Sequence, residues 1–315
     1  MSNDKFRQML IFSAVIDAGG FAAAAERLGT SQSAVSKGIR ALEDRLGAPL
    51  LQRTTRGHYL SAEGEKYLED CRRILELVDS AEDSIASRNI ATSGRIKISA
   101  PVSFGLDQIN PIIPAFIANN PKVEVELLLT DRQQNLLHEN IDVAIRMGDM
   151  EDSTHIQRKL CNLDRLVVAS PKYLQRCGAP ETPDDLKLHN CLMWTGNAQH
   201  LNMWPFFEGE TKVFARASGN FRSNNGMTLT TACLDGIGIM RIAEHFAIPL
   251  IESGKLVQLL ADYHKPDNQA VHIVYLPEKR NLSRIKEFVN FCIERFREPN
   301  WMPTNDRSTM HKVQL

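Results

Sequence analysis

The stretch Phe21-Ala-Ala-Ala-Ala-Glu-Arg-Leu-Gly-Thr-Ser-Gln-Ser-Ala-Val-Ser-Lys-Gly-Ile-Arg40 decides how the first part of this chain folds. It reads as two short helices joined by a tight turn, the second rich in Gln, Ser, Lys and Arg. That is the layout of a helix-turn-helix whose second helix enters the major groove of DNA. Ala25 falls where the two helices cross, and its small side chain lets the backbones approach. Gly29 falls at the turn, where a positive φ costs glycine nothing. Val35 packs back from the second helix onto the first. These are the fifth, ninth and fifteenth places of the unit. The competing reading is an ordinary helical hairpin capped by glycine.

Working outward, Phe6, Met9, Leu10, Phe12, Val15 and Ile16 lie at helical spacing and give a preceding helix one apolar face. The pattern then predicts a helix over about Ala22 to Leu28. A third follows, N-capped by Ser31, reaching Leu46 and stopping at Gly47. Leu50-Leu51 and the run Arg53 to Leu60 read as a two-stranded wing turning near Gly57. Residues 1–60 carry eight Lys and Arg against five Asp and Glu, leaving about +3 in a chain whose net charge is −1.

Taken together, these segments resemble the N-terminal domain of LysR-type transcriptional regulators. The matching residues are Met9 to Ala18, Gly20-Phe21, Ala24-Ala25, Leu28-Gly29, Ser31-Gln32-Ser33-Ala34-Val35-Ser36, Leu42-Glu43, Leu46-Gly47, Leu50-Leu51, Arg53-Thr54-Thr55-Arg56 and Ser61 to Gly64. The match is dense over roughly the first 65 residues and more diffuse over the rest. The resemblance implies an α/β protein with an N-terminal all-α winged helix-turn-helix at 1–60, a long linker helix at 61–88 and a hinge at 89–94. It places an effector-binding regulatory domain at 95–298, built of two Rossmann-like subdomains of periplasmic-binding-protein type. Subdomain I is 95–164 and 266–298, subdomain II is 165–265, and a ligand cleft lies between them. Residues 299–315 read as a polar, mobile tail.

Gln32, Ser33, Ser36, Lys37 and Arg40 lie toward one face or near the start of the third helix, and the resemblance sets this surface on DNA. Gln and Arg can bond adenine and guanine edges bidentately, and Ser bonds bases or phosphate. Lys37 stands where Arg is more usual in the family; it keeps the charge and loses the planar fork. Arg53 and Arg56 on the wing reach phosphates or the minor groove, although Arg53 can instead brace the wing through an ion pair. The operator implied is double-stranded and pseudo-palindromic. The resemblance further implies a dimer of dimers that bends DNA, with RNA polymerase as a partner if the protein activates.

The predicted linker helix has an apolar stripe at Tyr67, Cys71, Ile74, Val78, Ala81 and Ile85. Its steps of 4, 3, 4, 3 and 4 make a heptad seam. A helix of about 28 residues spans roughly 40 Å, and a stripe that long stays wet unless a second copy covers it. The alternative is a helix lying on its own domain.

From Arg95 onward, strands alternate with helices, implying mainly parallel sheets. Strands are predicted at Arg95–Ala100, Val123–Thr130, Ile141–Met147, Leu163–Ala169, Cys191–Trp194, Lys212–Ala217, Asn220–Ser223, Gly238–Arg241 and Val271–Leu276. Helices are predicted at Gly105–Asn119, Gln133–Glu139, Pro171–Arg176, Met227–Asp235, Ala243–Glu252 and Leu282–Glu298. Strand ends facing a cleft are where such folds bind ligands. The candidate effector contacts are therefore Pro101, Ser103, Phe104, Thr130, Arg146, Asn224 and Asn225. Ser103 sits at a helix start and suits an anion, or is a plain cap. Arg146 pairs either an effector carboxylate or an internal acid. Trp194 reads as core rather than pocket wall.

Other function classes fare poorly. There is no G-x-S-x-G elbow, no P-loop and no H-E-x-x-H. Gly236-Ile-Gly238 lacks a third glycine and follows a helix, not a strand. No metal spacing joins the nine histidines, and no cofactor is expected. No signal peptide or membrane span is read, so the protein is expected to be cytoplasmic and its six cysteines reduced. A thiol sensor would need two cysteines brought together, with Cys177 and Cys191 the nearest pair.

Overall fold

The computed structural model describes residues 2–54, 57–86, 92–132, 134–148, 154–196 and 199–301. The chain opens with α1 (Ser2–Asp17), α2 (Phe21–Arg27) and α3 (Gln32–Leu46). Gly29 takes φ +61° at the turn between α2 and α3. There the Gly29 and Thr30 amides donate to the Glu26 and Ala25 carbonyls at 3.1 and 2.9 Å, closing the end of α2. Ser31 caps α3, its Oγ accepting from the Ala34 amide at 3.2 Å, and Gly47 ends it in a left-handed conformation. Phe12, Ala24, Ala25, Val35, Ile39 and Leu42 form the buried core of this three-helix unit.

The wing is β1 (Leu51–Thr54) antiparallel to β2 (Gly57–Leu60). Glu43 ties it to α3, because Oε1 accepts from the Leu50 and Leu51 amides at 2.8 and 3.0 Å. Next comes α4 (Ala62–Ala86), whose start is held by Ser61: its Oγ donates to the Pro49 carbonyl at 2.7 Å and accepts from the Gly64 amide at 2.9 Å. A Cβ on Gly64 would lie 2.1 Å from the Leu50 carbonyl oxygen, a backbone atom that cannot move aside. Gly64→Ala is therefore expected to cost ~3 kcal/mol, to be read as a lowered denaturation midpoint of the N-terminal unit.

The first half of α4 does not lie on a partner seam. Cys71 is wholly buried in the core of its own N-terminal unit, and the Tyr67 ring stands 5.8 Å from that of Phe12. The predicted seam is corrected at these two positions: their apolar side chains are already covered intramolecularly. Ile74 and Leu77 are exposed, 39% and 57%, and Val78 is half-buried. The side chain of Ile85 lies outside the described residues.

Subdomain I is a five-stranded mixed sheet in the order β4-β3-β5-β14-β6. Its strands are β3 (Ser93–Ala100), β4 (Lys122–Leu129), β5 (Val143–Met147), β6 (Ile156–Leu163) and β14 (Gln269–Tyr275). A continuous helical stretch from α5 (Val102–Phe104) to α6 (Ile113–Asn119) and the C-terminal α10 (Ser283–Arg295) carry apolar side chains into its core. Subdomain II holds β7 (Arg165–Ala169), α7 (Pro171–Cys177), β8 (Met193–Trp194), β9 (Met203–Glu208), β10 (Thr211–Arg216), β11 (Arg222–Ser223), α8 (Gly226–Leu234), β12 (Met240–Ala243), α9 (Glu244–Glu252) and β13 (Val257–Gln258).

Several expectations change. The sheets are mixed rather than mainly parallel: β14 runs antiparallel to both β5 and β6, and β12 and β13 run antiparallel to β7. The chain leaves subdomain I along β6 and returns along β14, so these two neighbours run antiparallel. The expected single strand at 163–169 is two strands broken at Asp164, and β6 and β9 were not anticipated. Residues 134–140 form turns rather than a helix. The Asn135 side chain caps the segment by accepting from the His138 amide at 2.9 Å, and Asn140 at φ +50° ends it, so only a single turn fits between the two. The start of the expected tail is fixed in place. Trp301 is buried beside Phe104, Phe296 and His245, and its Nε1 donates to Glu244 at 3.1 Å. Residues 302–315 lie outside the described residues.

Asp164 pins the crossover. Its carboxylate accepts from the Arg165 and Asp267 amides at 2.7 and 2.9 Å and stands 2.6 Å from His264 Nε2. Burial pushes its pKa up, but the His264 contact and the two amides outweigh burial and leave it below the ordinary value. A depressed folded pKa stabilises above the unfolded value of ~3.9. That stabilisation disappears as pH falls through the folded value. Asp164→Asn is expected to be less stable than the parent at pH 7, with the difference closing below about pH 4 in paired thermal melts.

Candidate nucleic-acid interface and ligand cleft

The buried face of α3 determines its outward face. Val35, Ile39 and Leu42 are at most 3% exposed, which turns Gln32, Ser33, Lys37 and Arg40 to the surface and leaves Ser36 half-exposed. Ser33 Oγ shares a 3.0 Å hydrogen bond with the capping Ser31. Arg40 and Lys37 have no hydrogen-bond or ion-pair partner among the described residues, so both heads are available to a ligand. Arg45, one turn further on, is occupied: Nε donates to Gln8 Oε1 at 2.8 Å and Nη2 meets the Tyr67 hydroxyl at 3.4 Å. Arg53 lies on β1, opposite His58 in register. Arg56 lies outside the described residues, as does the side chain of Arg53.

Between the subdomains lies a cleft of about 490 Å³. It is of the size that holds a small metabolite. Of the candidate contacts, Pro101 and Ser103 at the start of α5 and Thr130 and Arg146 at strand ends line it. Phe104, Asn224 and Asn225 do not. Phe104 is wholly buried in the subdomain I core, edge-on to His245. Asn225 caps α8, its Oδ1 accepting from the Thr228 amide at 3.1 Å. The helix start beside Ser103 is also less open to an anion than expected, because the Val102 amide donates to Asp131 at 3.1 Å.

Arg146 is the polar group best placed for a ligand. It reaches the cleft from the end of β5 and donates from Nη2 to the Gln134 carbonyl at 2.5 Å. Its Nε is buried without a partner, and no carboxylate pairs it among the described residues. The internal ion pair expected of it is thus not formed there. Burial lowers its pKa, opposed by the nearby Glu139 charge. A second cationic group lies at the cleft's hinge side: Arg165 and Arg241 share Asp267, and Arg165 also donates to Gln269. Burial and then repulsion from Arg241 bring Arg165 down to about 10.

Sequence reasoning missed most of the wall contributed by subdomain II. Trp194 lines the cleft together with Phe246, Asn202 and Thr230, so its assignment to the core is corrected. Asn202 holds the Trp194 backbone through paired 2.8 Å hydrogen bonds, and Gly196 leaves room for the indole, whose atoms a Cβ would meet at 2.5 Å. No linear motif marks these residues; they come from β8, the turn before β9, α8 and α9, and meet only when subdomain II has folded. Five of the six thiols are buried and Cys177 is exposed. All six are free, and burial raises Cys71 and Cys191 to about 11 and Cys161 and Cys233 to about 12.

Two family descriptions match this chain. Residues 6–65 match the family described as bacterial regulatory helix-turn-helix protein, lysR family, and residues 90–297 match the LysR substrate binding domain. An HTH-type transcriptional repressor of Pseudomonas aeruginosa is 33% identical over 297 residues, covering 94% of this chain and 93% of its own length. The HTH-type transcriptional activator TtdR of Escherichia coli is 30% identical, covering 93% and 96%. Among solved structures, CrgA, a LysR-type transcriptional regulator from Neisseria meningitidis, superposes with a TM-score of 0.62 at 29% identity over 91% of this chain and 97% of its own.

Proposed function

Because this chain belongs to the LysR family of transcriptional regulators, and is a DNA-binding regulator with an effector-binding domain, we propose that it reads a pseudo-palindromic operator with α3 and is switched by a small anionic metabolite in the cleft. The exposed row Gln32, Ser33, Ser36, Lys37 and Arg40, opposite the buried Val35, Ile39 and Leu42, supports the first part. On this reading Arg40 and Gln32 select bases, Lys37 and the wing residues Arg53 and Arg56 neutralise phosphates, and Glu43 keeps wing and helix in register.

For the cleft, the carrying observation is Arg146, a cationic side chain lining it with an unpartnered Nε. A ligand carboxylate there would supply the missing acceptor and offset the cost of burying the guanidinium. Ser103 and Thr130 add hydroxyls, and Trp194 and Phe246 add an apolar wall. The protein acts as a homo-oligomer, a dimer through α4 or a tetramer of two such dimers, and meets RNA polymerase at promoters that it activates. Relatives named as a repressor and as an activator are about equally similar, so the sign of control does not follow from likeness.

The test is a selection of genomic fragments bound by the purified protein at about 150 mM salt, where non-specific phosphate binding is weakened. The proposal expects a few fragments to be enriched, each carrying an interrupted inverted repeat. Uniform recovery of all fragments by folded protein would overturn the operator reading.

A further inference from the structure

Residues 134–140 touch the cleft at one end and the DNA-binding unit at the other. At the cleft end, Gln134 lines the cavity, gives its carbonyl to Arg146 Nη2, and bonds Ser99 Oγ and Glu139 through its side chain. At the far end, the Leu137 and His138 carbonyls accept from Arg72 Nη1 at 3.1 and 2.6 Å. Arg72 Nη2 in turn donates to Asp17 at 2.6 Å, and Asn140 Nδ2 reaches the same carboxylate at 3.4 Å. Asp17 is the last residue of α1, which packs directly on α3. A handful of residues therefore separates the ligand cleft from the base of the DNA-reading unit.

Internal hydrogen bonds and one buried side chain hold the segment together. Leu136 at its middle is wholly buried among Ile141, Ala144, Val274 and Leu276. The Ile141 amide closes on the Leu136 carbonyl at 2.8 Å and the Glu139 amide on the Asn135 carbonyl at 3.1 Å. The turn is thus bonded internally and anchored at its centre. Arg72, 6% exposed, cannot give up an acceptor cheaply, since an unsatisfied buried charge is costly, so its guanidinium must follow the two carbonyls. There is also room for the N-terminal unit to tilt. A crevice of about 570 Å³ separates Leu10, Ile16 and Leu28 from Arg95, Lys97 and Glu126. Residues 277–281 also pack on α4, but none of them lines the cleft.

We propose that residues 134–140 carry the state of the cleft to the DNA-binding unit, with Arg72 as the positioning residue. A ligand engaging Arg146 draws the guanidinium off the Gln134 carbonyl, the segment pivots about Leu136, and Arg72 re-seats Asp17 and α1 with it. The trigger rests on the cleft being the effector site, whereas the link is a property of the unliganded chain.

The link is tested without any ligand, by hydrogen exchange on the full-length protein as parent, Arg146→Gln, Arg72→Lys and the double variant. Arg72→Lys keeps a charge beside Asp17 but cannot span the two carbonyls as well. An unchanged melting temperature in it separates loss of the link from loss of fold. Arg146→Gln is expected to speed exchange about tenfold in residues 12–18 and 68–75, a change equivalent to losing one charged hydrogen bond. Arg72→Lys is expected to speed exchange at 134–140, and the double variant to show no further increase in α1. Effects of Arg146→Gln confined to the cleft strands, or effects that simply sum in the double variant, would overturn the proposal. A separate melt of the parent protein with fractionated cell metabolites tests the effector reading. If no fraction raises the melting temperature, that reading fails, and the exchange result still decides the link.

Discussion

Arg40→Ala is expected to weaken binding to the selected operator by ~1–3 kcal/mol, roughly 5- to 150-fold, and to relax sequence choice at the base it meets. Arg40 stands one helical turn beyond Ser36 on the outer face of α3. It has no partner among the described residues, so no internal bond has to be broken for it to reach a guanine edge. The same exposure predicts little change in folding stability, which separates a recognition effect from a structural one. Arg45→Ala is the contrasting variant: its guanidinium is held by Gln8 and Tyr67, so its loss falls chiefly on stability. Fluorescence anisotropy against operator and scrambled duplexes at two salt concentrations makes the comparison. If Arg40→Ala binds both duplexes as the parent does, α3 does not enter the groove with this face.

The second large effect is expected at Leu77. It is 57% exposed on α4, with Ile74 one turn before it at 39%. Apolar side chains this exposed on a long helix suit burial against a second copy, and an aspartate at the centre of such a contact would be left desolvated. Leu77→Asp is expected to weaken the dimer by ~3 kcal/mol, about 150-fold in dissociation constant. Sedimentation velocity at micromolar protein reads this directly. Val78, predicted from the heptad pattern as a seam residue, is half-buried in its own chain, so Val78→Asp would compromise folding as well as association. A dimer that persists in Leu77→Asp would place the two-fold contact away from this face of α4.

The sequence determined the N-terminal unit almost completely. Its boundaries rest on local chemistry: Ser31 as a cap, Gly29 and Gly47 as left-handed stops, and a helical period that puts Val35, Ile39 and Leu42 inside and Gln32, Lys37 and Arg40 outside. Each of these signals acts within a few residues, so each is legible in one dimension. Most strands and helices of the regulatory domain are readable for the same reason, β6, β9 and the turn at 134–140 excepted, and so is the placing of Thr130 and Arg146 at strand ends and of Ser103 at a helix start.

What only the tertiary structure decided depends on residues far apart in the chain. A heptad stripe on α4 reports that one face is apolar and not what covers it; Tyr67 and Cys71 are covered by α1 and the rest of their own unit. Phe104 and Trp194 are both large and apolar, and sequence could not tell which faces the core and which the cleft. The difference comes from Phe296, His245 and Trp301 closing over the first, and from Asn202 and Gly196 presenting the second to the cavity. Arg72 shows the point most sharply. In sequence it is one charge on a polar helix, yet in the fold it joins carbonyls 65 and 66 residues away to an aspartate 55 residues before it. Local propensity sets which elements form, whereas the satisfaction of buried polar groups sets how they meet, and those partners are known only once the chain has closed on itself.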